Sequence, residues 1–357
     1  MSALLDRPRM RQFELADEPL SQAGPAPGAN AGASSRAREN AEPSISCVVP
    51  AFNEGANLPT LLRELGTTLQ ASFVHWEIIV VNDGSSDDTE LAVAPWLAFG
   101  RIRYVALSRN FGKEAALTAG LDRARGDVVL LLDADLQHPP ALIADMLGAW
   151  RGGADMVYTV RASRQDESWL KRLGTRWFYR VVNAGSRTPI PPDASDFRLL
   201  DRKVVDALNN LPERNRFMKG LYAWVGFASA VVRYEPQGRF AGDSTFSLRS
   251  LMRLALTGVT AFTNFPLRLW SGVGAVIALC SLAGGAWVII EHFTSATNVP
   301  GWATLAVCAM FFSGVQLLSI GILGEYVGRI FDEVKQRPVY LIRHDSGAGP
   351  GWSAAQR

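Results

Sequence analysis

The chain has 357 residues, a length that allows two or three domains. Apolar residues make up 48% and charged residues 20%, which excludes a wholly disordered chain, a collagen and a small disulfide scaffold. Lysine and arginine number 36 against 34 for aspartate and glutamate, so net charge does not favour a nucleic-acid partner and we expect none. The three cysteines stand far apart without a CxxC pair, and they predict neither a disulfide framework nor a zinc site.

Residues 1–44 are rich in alanine, glycine, proline, serine and arginine and carry no helical or strand period. Too little apolar surface is present there to offset the entropy of ordering, so we expect a disordered N-terminal tail. The segment has no apolar core of the kind that a signal peptide needs.

From Ile45 onwards, short apolar runs that end in polar residues alternate with helical stretches near 58–70 and 114–125. Strands alternating with helices predict an α/β fold with a parallel sheet. Ligands of such sheets bind beyond the carboxyl ends of the strands. Three polar clusters fall at these ends, namely Asn53-Glu54, Asn82-Asp83-Gly84 and Asp133-Ala134-Asp135.

The run DVVLLLDADLQHPP carries the most specific of these clusters. Asp133 and Asp135, two residues apart where the chain leaves a strand, can face one hard cation, and Gln137 can add an amide oxygen. Mg²⁺ or Mn²⁺ prefers such oxygen ligands and leaves positions open for phosphate. A solvated acidic loop is the alternative, and the apolar strand before the pair favours the metal site.

The other two clusters are less specific. Asp83, in VVNDGSSDDT, either forms an ordinary turn with a helix cap or accepts a hydrogen bond from a nucleotide base. Glu54, in PAFNEG, is either a solvated carboxylate at a helix start or a contact to ribose or base.

The C-terminal third is apolar enough to predict membrane contact. Residues 245–262 form a helical pattern with a broad apolar face, interpreted as a helix in the bilayer interface with a core helix as the alternative. Two uncharged stretches, 270–290 and 303–323, each match the length of a membrane span. Their connector has no lysine or arginine, and Arg268 and Arg329 flank the spans, which predicts that both termini are cytoplasmic.

Four segments, VVPAFNE, VVNDGSSDDT, SRNFGKEAALTAGL and GDVVLLLDADLQHPP, resemble in order and spacing the GT-A catalytic domain of family 2 glycosyltransferases. The segments FGKEAAL, DADLQHPP, SDFRLLDR and GEYVGRIFDEVKQRPVY resemble more narrowly the polyprenyl-phosphate glycosyltransferases. The resemblance covers about residues 45–343. It implies an inverting transfer of one sugar from a nucleotide sugar, a UDP-sugar by analogy, to polyprenyl phosphate.

The resemblance also implies site residues. Asp135 and Asp196 match the catalytic carboxylates, and Asp196 acts in the family as base or acceptor-orienting group. The metal ligands are expected at Asp133, Asp135 and Gln137, with Mg²⁺ or Mn²⁺ as cofactor. The nucleotide-sugar contacts are expected at Pro50, Ala51, Asn53, Glu54, Asp83, Lys113, Asp133 and Ala134, and the acceptor phosphate contacts at Arg161, Arg172 and Arg239.

Three other functions are weaker alternatives. Processive polysaccharide synthases carry a QxxRW motif, whereas the nearest segment here, Glu213 to Phe217, has neither the glutamine nor the tryptophan. Intact Glu54, Asp83, Asp133 and Asp135 argue against a catalytically silent membrane scaffold. A soluble NAD-binding protein would carry GxGxxG after the first strand, and none is present there.

The sequence therefore predicts a GT-A, Rossmann-like α/β domain followed by an interfacial amphipathic helix and a two-helix transmembrane hairpin. The expected partners are the nucleotide sugar, polyprenyl phosphate, the lipid bilayer and further copies of the chain. The expected location is the bacterial inner membrane, with a multi-pass topology. The predicted boundaries are 1–44 for the tail, 45–243 for the catalytic domain, 244–268 for the interfacial helices, 269–325 for the hairpin and 326–357 for the cytoplasmic end.

Overall fold

The computed structural model describes residue 38, residues 42–161, 194–234 and 301–347, and separate residues between 270 and 294. The predicted interfacial helix, Arg172 and Arg239 lie outside the described residues, and the first predicted span, 270–290, is described only in part. The strands are β1 (Ile45–Ala51), β2 (Trp76–Asn82), β3 (Ile102–Leu107), β4 (Val128–Leu131), β5 (Met156–Arg161), β6 (Ala194–Asp201), β7 (Ser229–Tyr234) and β8 (Ile342–Asp345). The helices are α1 (Leu58–Ser72), α2 (Thr89–Val93), α3 (Lys113–Leu121), α4 (Leu142–Arg151), α5 (Arg202–Asn209), α6 (Met218–Trp224) and α7 (Trp302–Val334).

The described strands form one mixed sheet in the order β7-β5-β6-β4-β1-β2-β3-β8. The four adjacent strands β4, β1, β2 and β3 are parallel to one another, as the alternation of strands and helices predicted. β6 runs antiparallel to β4 and β5, and β8 runs antiparallel to β3. The α/β class is confirmed, and the reversed strands are the feature that a strand pattern alone does not encode.

Helices cover both faces of the sheet. Along β1, Ile45, Cys47 and Val49 belong to one apolar cluster while Val48 belongs to the other, as the two-residue repeat of a strand requires. Helices α1 and α4 pack on the first face, and α3, α5 and α6 pack on the second. The predicted helix 58–70 is confirmed with bounds Leu58–Ser72, whereas the helix predicted near 114–125 already ends at Leu121.

Two residues that the sequence assigns to the N-terminal tail contact the folded domain. The Arg38 guanidinium lies 2.8 Å from a carboxylate oxygen of Asp201 and 3.2 Å from one of Asp155. The Ser44 hydroxyl donates a hydrogen bond of 2.7 Å to Asp127. Both contacts lie at the end of the sheet from which β1 and β4 begin, away from the carboxyl ends of these strands.

Helix α7 is 33 residues long, which corresponds to about 50 Å. Within the described residues, its segment Phe311–Val334 is the one stretch long and apolar enough to cross a membrane, and none of it is buried. This segment includes most of the second predicted span, 303–323. The paired span and the hairpin remain predictions.

The chain after α7 returns to the catalytic domain. β8 pairs with the edge strand β3, and the Asp345 carboxylate accepts hydrogen bonds from Arg103 at 2.8 and 2.9 Å and from Arg123 at 3.1 Å. At the end of α7, the Glu333 carboxylate accepts the backbone N–H groups of Arg214 and Asn215. These contacts fix the end of the apolar helix to the sheet.

We predict that Asp345→Ala loosens this attachment, because it leaves two partly buried guanidinium groups without their carboxylate. The expected loss is roughly 1–3 kcal/mol of unfolding free energy, measured by thermal unfolding of the full-length protein in detergent. Arg343→Gln is the matched control: its pair with Glu90 has both side chains more than half exposed, and its loss should stay within about 0.5 kcal/mol. Equal losses of unfolding free energy in the two variants would contradict the role of Asp345 in attaching this segment to the sheet.

Candidate active site

The three predicted polar clusters meet at one edge of the sheet. β1 lies between β2 and β4, and the three strands are parallel, so their carboxyl ends face the same side. Ala51 pairs with Asn82 at the end of β2, and the DxD sequence follows directly after β4. Pro50 and Ala51 form the end of β1 beneath this edge, and Ala134 is buried between the two aspartates.

Asn53 and Glu54 bind the segment that follows β2, Glu54 through its backbone N–H, which donates to the Thr89 hydroxyl at 3.0 Å. Asn53 has a positive φ of 58°, and its side-chain oxygen accepts the backbone N–H of Ser86 at 2.9 Å. The Glu54 carboxylate accepts a hydrogen bond of 2.6 Å from the Asn57 amide. Burial raises the pKa of Glu54, and the negative charges of Asp135 and Asp133 raise it further, so Glu54 belongs to the same electrostatic environment as the DxD sequence.

Asp83 holds the loop before α3. Its two carboxylate oxygens accept the backbone N–H groups of Phe111 at 2.7 Å and Gly112 at 2.9 Å, and the residue is 3% exposed. Burial raises its pKa, and the two hydrogen bonds oppose that effect. The next residue, Gly84, has φ +68°, and a Cβ atom there would lie 2.4 Å from the carbonyl carbon of Arg109, so only glycine allows the two loops to approach this closely.

The antiparallel pairing of β4 with β6 brings two carboxylates together. The register pairs Leu131 with Arg198, and continuing it by two residues places Asp133 opposite Asp196. Two like charges in this position repel each other. The Lys113 ammonium lies between them, 2.7 Å from Asp133 and 2.6 Å from Asp196.

Lys113 reaches this position because it is the first residue of α3. Gly112 precedes it with φ +98°, and the backbone of Gly112 is held by Asp83. Burial alone would lower the pKa of Lys113, but the charges of Asp133 and Asp196 raise it above its usual range. The lysine therefore remains a cation at every working pH.

Asp196 is surrounded by cations. Besides Lys113, the Lys219 ammonium lies 3.5 Å from its second oxygen, and the buried Arg198 guanidinium stacks on the rings of Tyr222 and Tyr158 at 4.4 and 5.1 Å. Burial alone would raise the pKa of Asp196, but these positive charges hold it well below its usual range. Asp196 is consequently an ionised carboxylate and a weak base.

Asp135 and Gln137 complete the edge beside Asp133. One Asp135 oxygen accepts the Gln137 backbone N–H at 3.2 Å, and the Gln137 side-chain oxygen accepts a hydrogen bond of 3.1 Å from Arg161. In the described part of the chain, no three His, Cys, Asp or Glu side chains gather into a metal-binding group. Two carboxylates and one amide oxygen are nevertheless the hard oxygen donors that suit Mg²⁺ or Mn²⁺, so the residue types fit such an ion.

His138 fixes the loop that carries Asp133, Asp135 and Gln137. Its ring stacks on Phe197 at 5.0 Å, and its Nε2 atom lies 3.2 Å from the Ser195 hydroxyl. Burial lowers its pKa, so the neutral ring is favoured. His138 therefore joins the DxD loop to β6 next to Asp196.

Comparison with known proteins identifies the family. Residues 46–208 match the family described as Glycosyl transferase family 2. An uncharacterized glycosyltransferase of Synechocystis sp. is 45% identical over 299 residues, which cover 84% of this chain and 94% of that protein. The SfII prophage-derived bactoprenol glucosyl transferase of Shigella flexneri is 44% identical over 308 residues, which cover 86% of this chain and 99% of that protein.

The chain belongs to glycosyltransferase family 2. It is therefore a glycosyltransferase, and the resemblance inferred from its motifs to the family 2 polyprenyl-phosphate glycosyltransferases is confirmed. One similar solved structure is glucosyl-3-phosphoglycerate synthase from Mycobacterium tuberculosis with Mn²⁺, UDP and glucosyl-3-phosphoglycerate. The alignment has a TM-score of 0.45 at 22% identity and covers 68% of this chain and 86% of that protein. This likeness is too weak to bear on the site.

For this glycosyltransferase, the predicted residues that the structure describes lie along one edge of the sheet. Their individual roles remain predictions, and Arg161 lies beside Gln137 rather than beside Asp196. Sequence analysis missed Glu114, His138, Arg198 and Lys219. Glu114 and His138 adjoin predicted motifs and Arg198 is the arginine of SDFR, whereas nothing in the sequence near Lys219 signals its approach to Asp196.

Glu114 follows Lys113 in the first turn of α3. Its carboxylate accepts the backbone N–H of Met218 at 3.3 Å, next to Lys219. Burial raises the pKa of Glu114 to about 7, and the charge of Asp196 acts in the same direction.

We predict that Glu114 makes the protein less stable as the pH rises from about 4.5 to about 7. In this range the folded protein retains a proton that the unfolded chain has lost, so unfolding free energy falls by up to about 1.4 kcal/mol per pH unit. Glu114→Gln should remove this part of the pH dependence in thermal unfolding, while Glu64→Gln, at an exposed position of α1, should not. An unchanged slope in Glu114→Gln would contradict the prediction.

Proposed function

We propose that this glycosyltransferase moves a single sugar from a nucleotide sugar to polyprenyl phosphate at a membrane surface. The observation that carries the proposal is the arrangement of Asp133, Lys113 and Asp196 at the carboxyl edge of the sheet. A relative named bactoprenol glucosyl transferase, matched over 99% of its length, supports the lipid acceptor. Its name makes glucose the first sugar to test, and UDP-glucose the first donor.

The donor is proposed to lie across the ends of β1, β2 and β4. Pro50, Ala51, Asn53, Glu54 and Asp83 would surround base and ribose. Because Asp83 already binds two backbone N–H groups, it would use its remaining lone pairs toward a base, and its main effect would be to place the loop that carries Lys113. Lys113, Asp133 and Ala134 would lie nearest to the diphosphate.

Asp133, Asp135 and Gln137 would hold Mg²⁺ or Mn²⁺. Such an ion would offset the charge on the leaving diphosphate. Lys113 already contacts both oxygens of Asp133, at 2.7 and 2.9 Å, and Arg161 already binds the Gln137 oxygen. Asp135 is bound only to a backbone N–H among the hydrogen bonds and ion pairs of the described residues. Asp135 is therefore the carboxylate most available for the ion.

Asp196 is proposed to orient cations rather than to remove a proton. A phosphate monoester has a second pKa near 6 and is largely a dianion at neutral pH, so its oxygen can attack the anomeric carbon without a general base. The three cations around Asp196 hold its pKa low, which makes it a poor proton acceptor. The difficult step is to bring two anions together, and fixed cations at this edge serve that purpose.

Helix α7 is proposed to hold the catalytic domain at the membrane. Its apolar segment Phe311–Val334 and the predicted span 270–290 would form the hairpin, with both termini cytoplasmic and the loop His292–Trp302 on the other side. Labelling of a single cysteine in this loop by an impermeant thiol reagent from outside the cell, in a chain without its native cysteines, checks the crossing. Labelling from the cytoplasm alone would refute it.

Processive polymer synthesis is less well supported. In the segment Glu213 to Phe217, where a synthase would carry QxxRW, Arg214 and Asn215 donate their backbone N–H groups to Glu333 at the end of α7. In this position the segment serves to attach the helix. A single transfer to a small acceptor fits better.

We predict that Asp135→Asn reduces sugar transfer about 100-fold or more, by analogy with the removal of other groups that stabilise transition-state charge. Steady-state transfer at saturating Mg²⁺ measures the effect. Asp145→Asn, an exposed carboxylate on α4, should retain normal turnover. Wild-type turnover in Asp135→Asn would refute the assignment of the metal ligand.

The direct test of the function is to incubate membranes that contain the protein with undecaprenyl phosphate and a panel of nucleotide sugars, then to identify the lipid product by mass spectrometry. One sugar added to undecaprenyl phosphate is the expected product. A ladder of polymer lengths would favour the synthase. Failure to form any product from any donor would favour the silent scaffold.

A further inference from the structure

Of the two lysines that form ion pairs with Asp196 in the described part of the chain, Lys219 has the longer contact. It lies on α6, which packs on the sheet through Met218, Leu221 and Tyr222. Its ammonium is 3.5 Å from Asp196, at the outer limit of a hydrogen bond. Its side chain remains 30% exposed.

Lys113 differs in how tightly it is held and not in being less exposed, because 41% of its side chain is accessible. It binds two carboxylates at 2.6 and 2.7 Å, and these contacts occupy at least two of its three N–H donors. Within the described part of the chain, Lys219 makes a single ion pair. An ammonium carries three donors, so Lys219 retains N–H groups for an external anion.

The environment of Lys219 also favours an anion. Buried Arg198 places a second positive charge behind Asp196, so the carboxylate does not neutralise the local field by itself. Met218, the neighbour of Lys219, is anchored through its N–H to Glu114. The lysine therefore lies on a hydrogen-bonded backbone segment while its side chain is partly exposed.

The position of Lys219 separates it from the donor side. Lys113 binds one Asp196 oxygen together with Asp133, whereas Lys219 approaches the other oxygen. The proposed diphosphate position is at Asp133 and Asp135. An anion on Lys219 would thus lie near the Asp196 oxygen that Lys113 does not bind, and a displacement with inversion needs a nucleophile apart from the leaving group.

We propose that Lys219 binds the phosphate of the acceptor, a phosphate monoester of a polyprenol, and that Asp196 positions its ammonium group. This inference rests on the proposed function and adds an acceptor residue that the motifs do not reveal. Lys219 provides two or more N–H donors to the phosphate oxygens, and the phosphate oxygen that attacks the anomeric carbon replaces the diphosphate oxygen there.

The first test is binding without turnover. Farnesyl phosphate, farnesol, inorganic phosphate and UDP with Mn²⁺ are titrated calorimetrically into the full-length protein in detergent, with wild type, Lys219→Gln and Lys219→Arg. Lys203→Gln is the matched control, because Lys203 is also a partly exposed lysine paired with one aspartate, Asp155, at 2.7 Å.

We expect Lys219→Gln to weaken farnesyl phosphate binding about tenfold or more, with farnesol and UDP affinities unchanged. Lys219→Arg should retain most of the affinity, and Lys203→Gln all of it.

Unchanged farnesyl phosphate affinity in Lys219→Gln would overturn the proposal, and so would an equal loss of UDP affinity, which would assign Lys219 to the donor. Unchanged UDP affinity also shows that the variant is folded. A loss of inorganic phosphate binding without a loss of farnesyl phosphate binding would overturn the lipid acceptor as the ligand.

The second test is the kinetic pattern. In transfer to undecaprenyl phosphate, Lys219→Gln should raise the KM of the acceptor about tenfold while the KM of the nucleotide sugar stays within twofold. A larger rise in the KM of the nucleotide sugar than in that of the acceptor would contradict the assignment of Lys219 to the acceptor phosphate. If the wild-type protein transfers no sugar to any polyprenyl phosphate, the proposed function fails, whereas the binding test above still decides whether Lys219 holds a phosphate monoester.

Discussion

One ammonium group shared by two carboxylates organises the active edge of this glycosyltransferase. The antiparallel register of β4 and β6 continues to Asp133 and Asp196, and their mutual repulsion would open this end of the sheet without a cation between them. Lys113 supplies that cation at 2.6 and 2.7 Å. Its position depends in turn on Asp83, which anchors Phe111 and Gly112. A substitution in any of these residues therefore affects the others.

The same edge is linked to the apolar helix. Glu333, at the end of α7, binds the loop of Arg214 and Asn215, and α6 with Lys219 begins three residues after that loop. β8 and Asp345 fix the chain after the helix to β3. The apolar helix α7 thus has a short, hydrogen-bonded connection to the proposed acceptor side of the site, and under the proposed function a lipid-linked phosphate would arrive where this connection ends.

The sequence predicted the parts of the site that depend on local patterns. Asp133 and Asp135 follow an apolar strand, and Glu54 and Asp83 end two others, so the parallel sheet brings them to one edge. The direction of β6 is not encoded in such a pattern, because alternation of apolar residues is the same in parallel and antiparallel strands. The approach of Asp196 to Asp133, and of Lys219 to Asp196, arises from that direction and from the packing of α6.

The chemical roles of the site residues are harder to predict from the sequence than their positions, because a role depends on contacts between distant segments of the chain. SDFR matched a family carboxylate described as base or orienting group, and the proposed orienting role rests on the surrounding cations Lys113, Lys219 and Arg198, which lower the pKa of Asp196. These cations come from three separate segments of the chain. Their charges act through space, where sequence spacing gives no information.

The most direct test of this account is a double-mutant cycle on Lys113 and Asp196. The rate of sugar transfer to undecaprenyl phosphate is measured for Lys113→Gln, Asp196→Asn and the double variant, with unfolding followed in parallel. Because the two groups act as one unit, the double variant should lose little more activity than the worse single variant. Losses that multiply would mean that Lys113 and Asp196 act independently, and would contradict the central role of their ion pair.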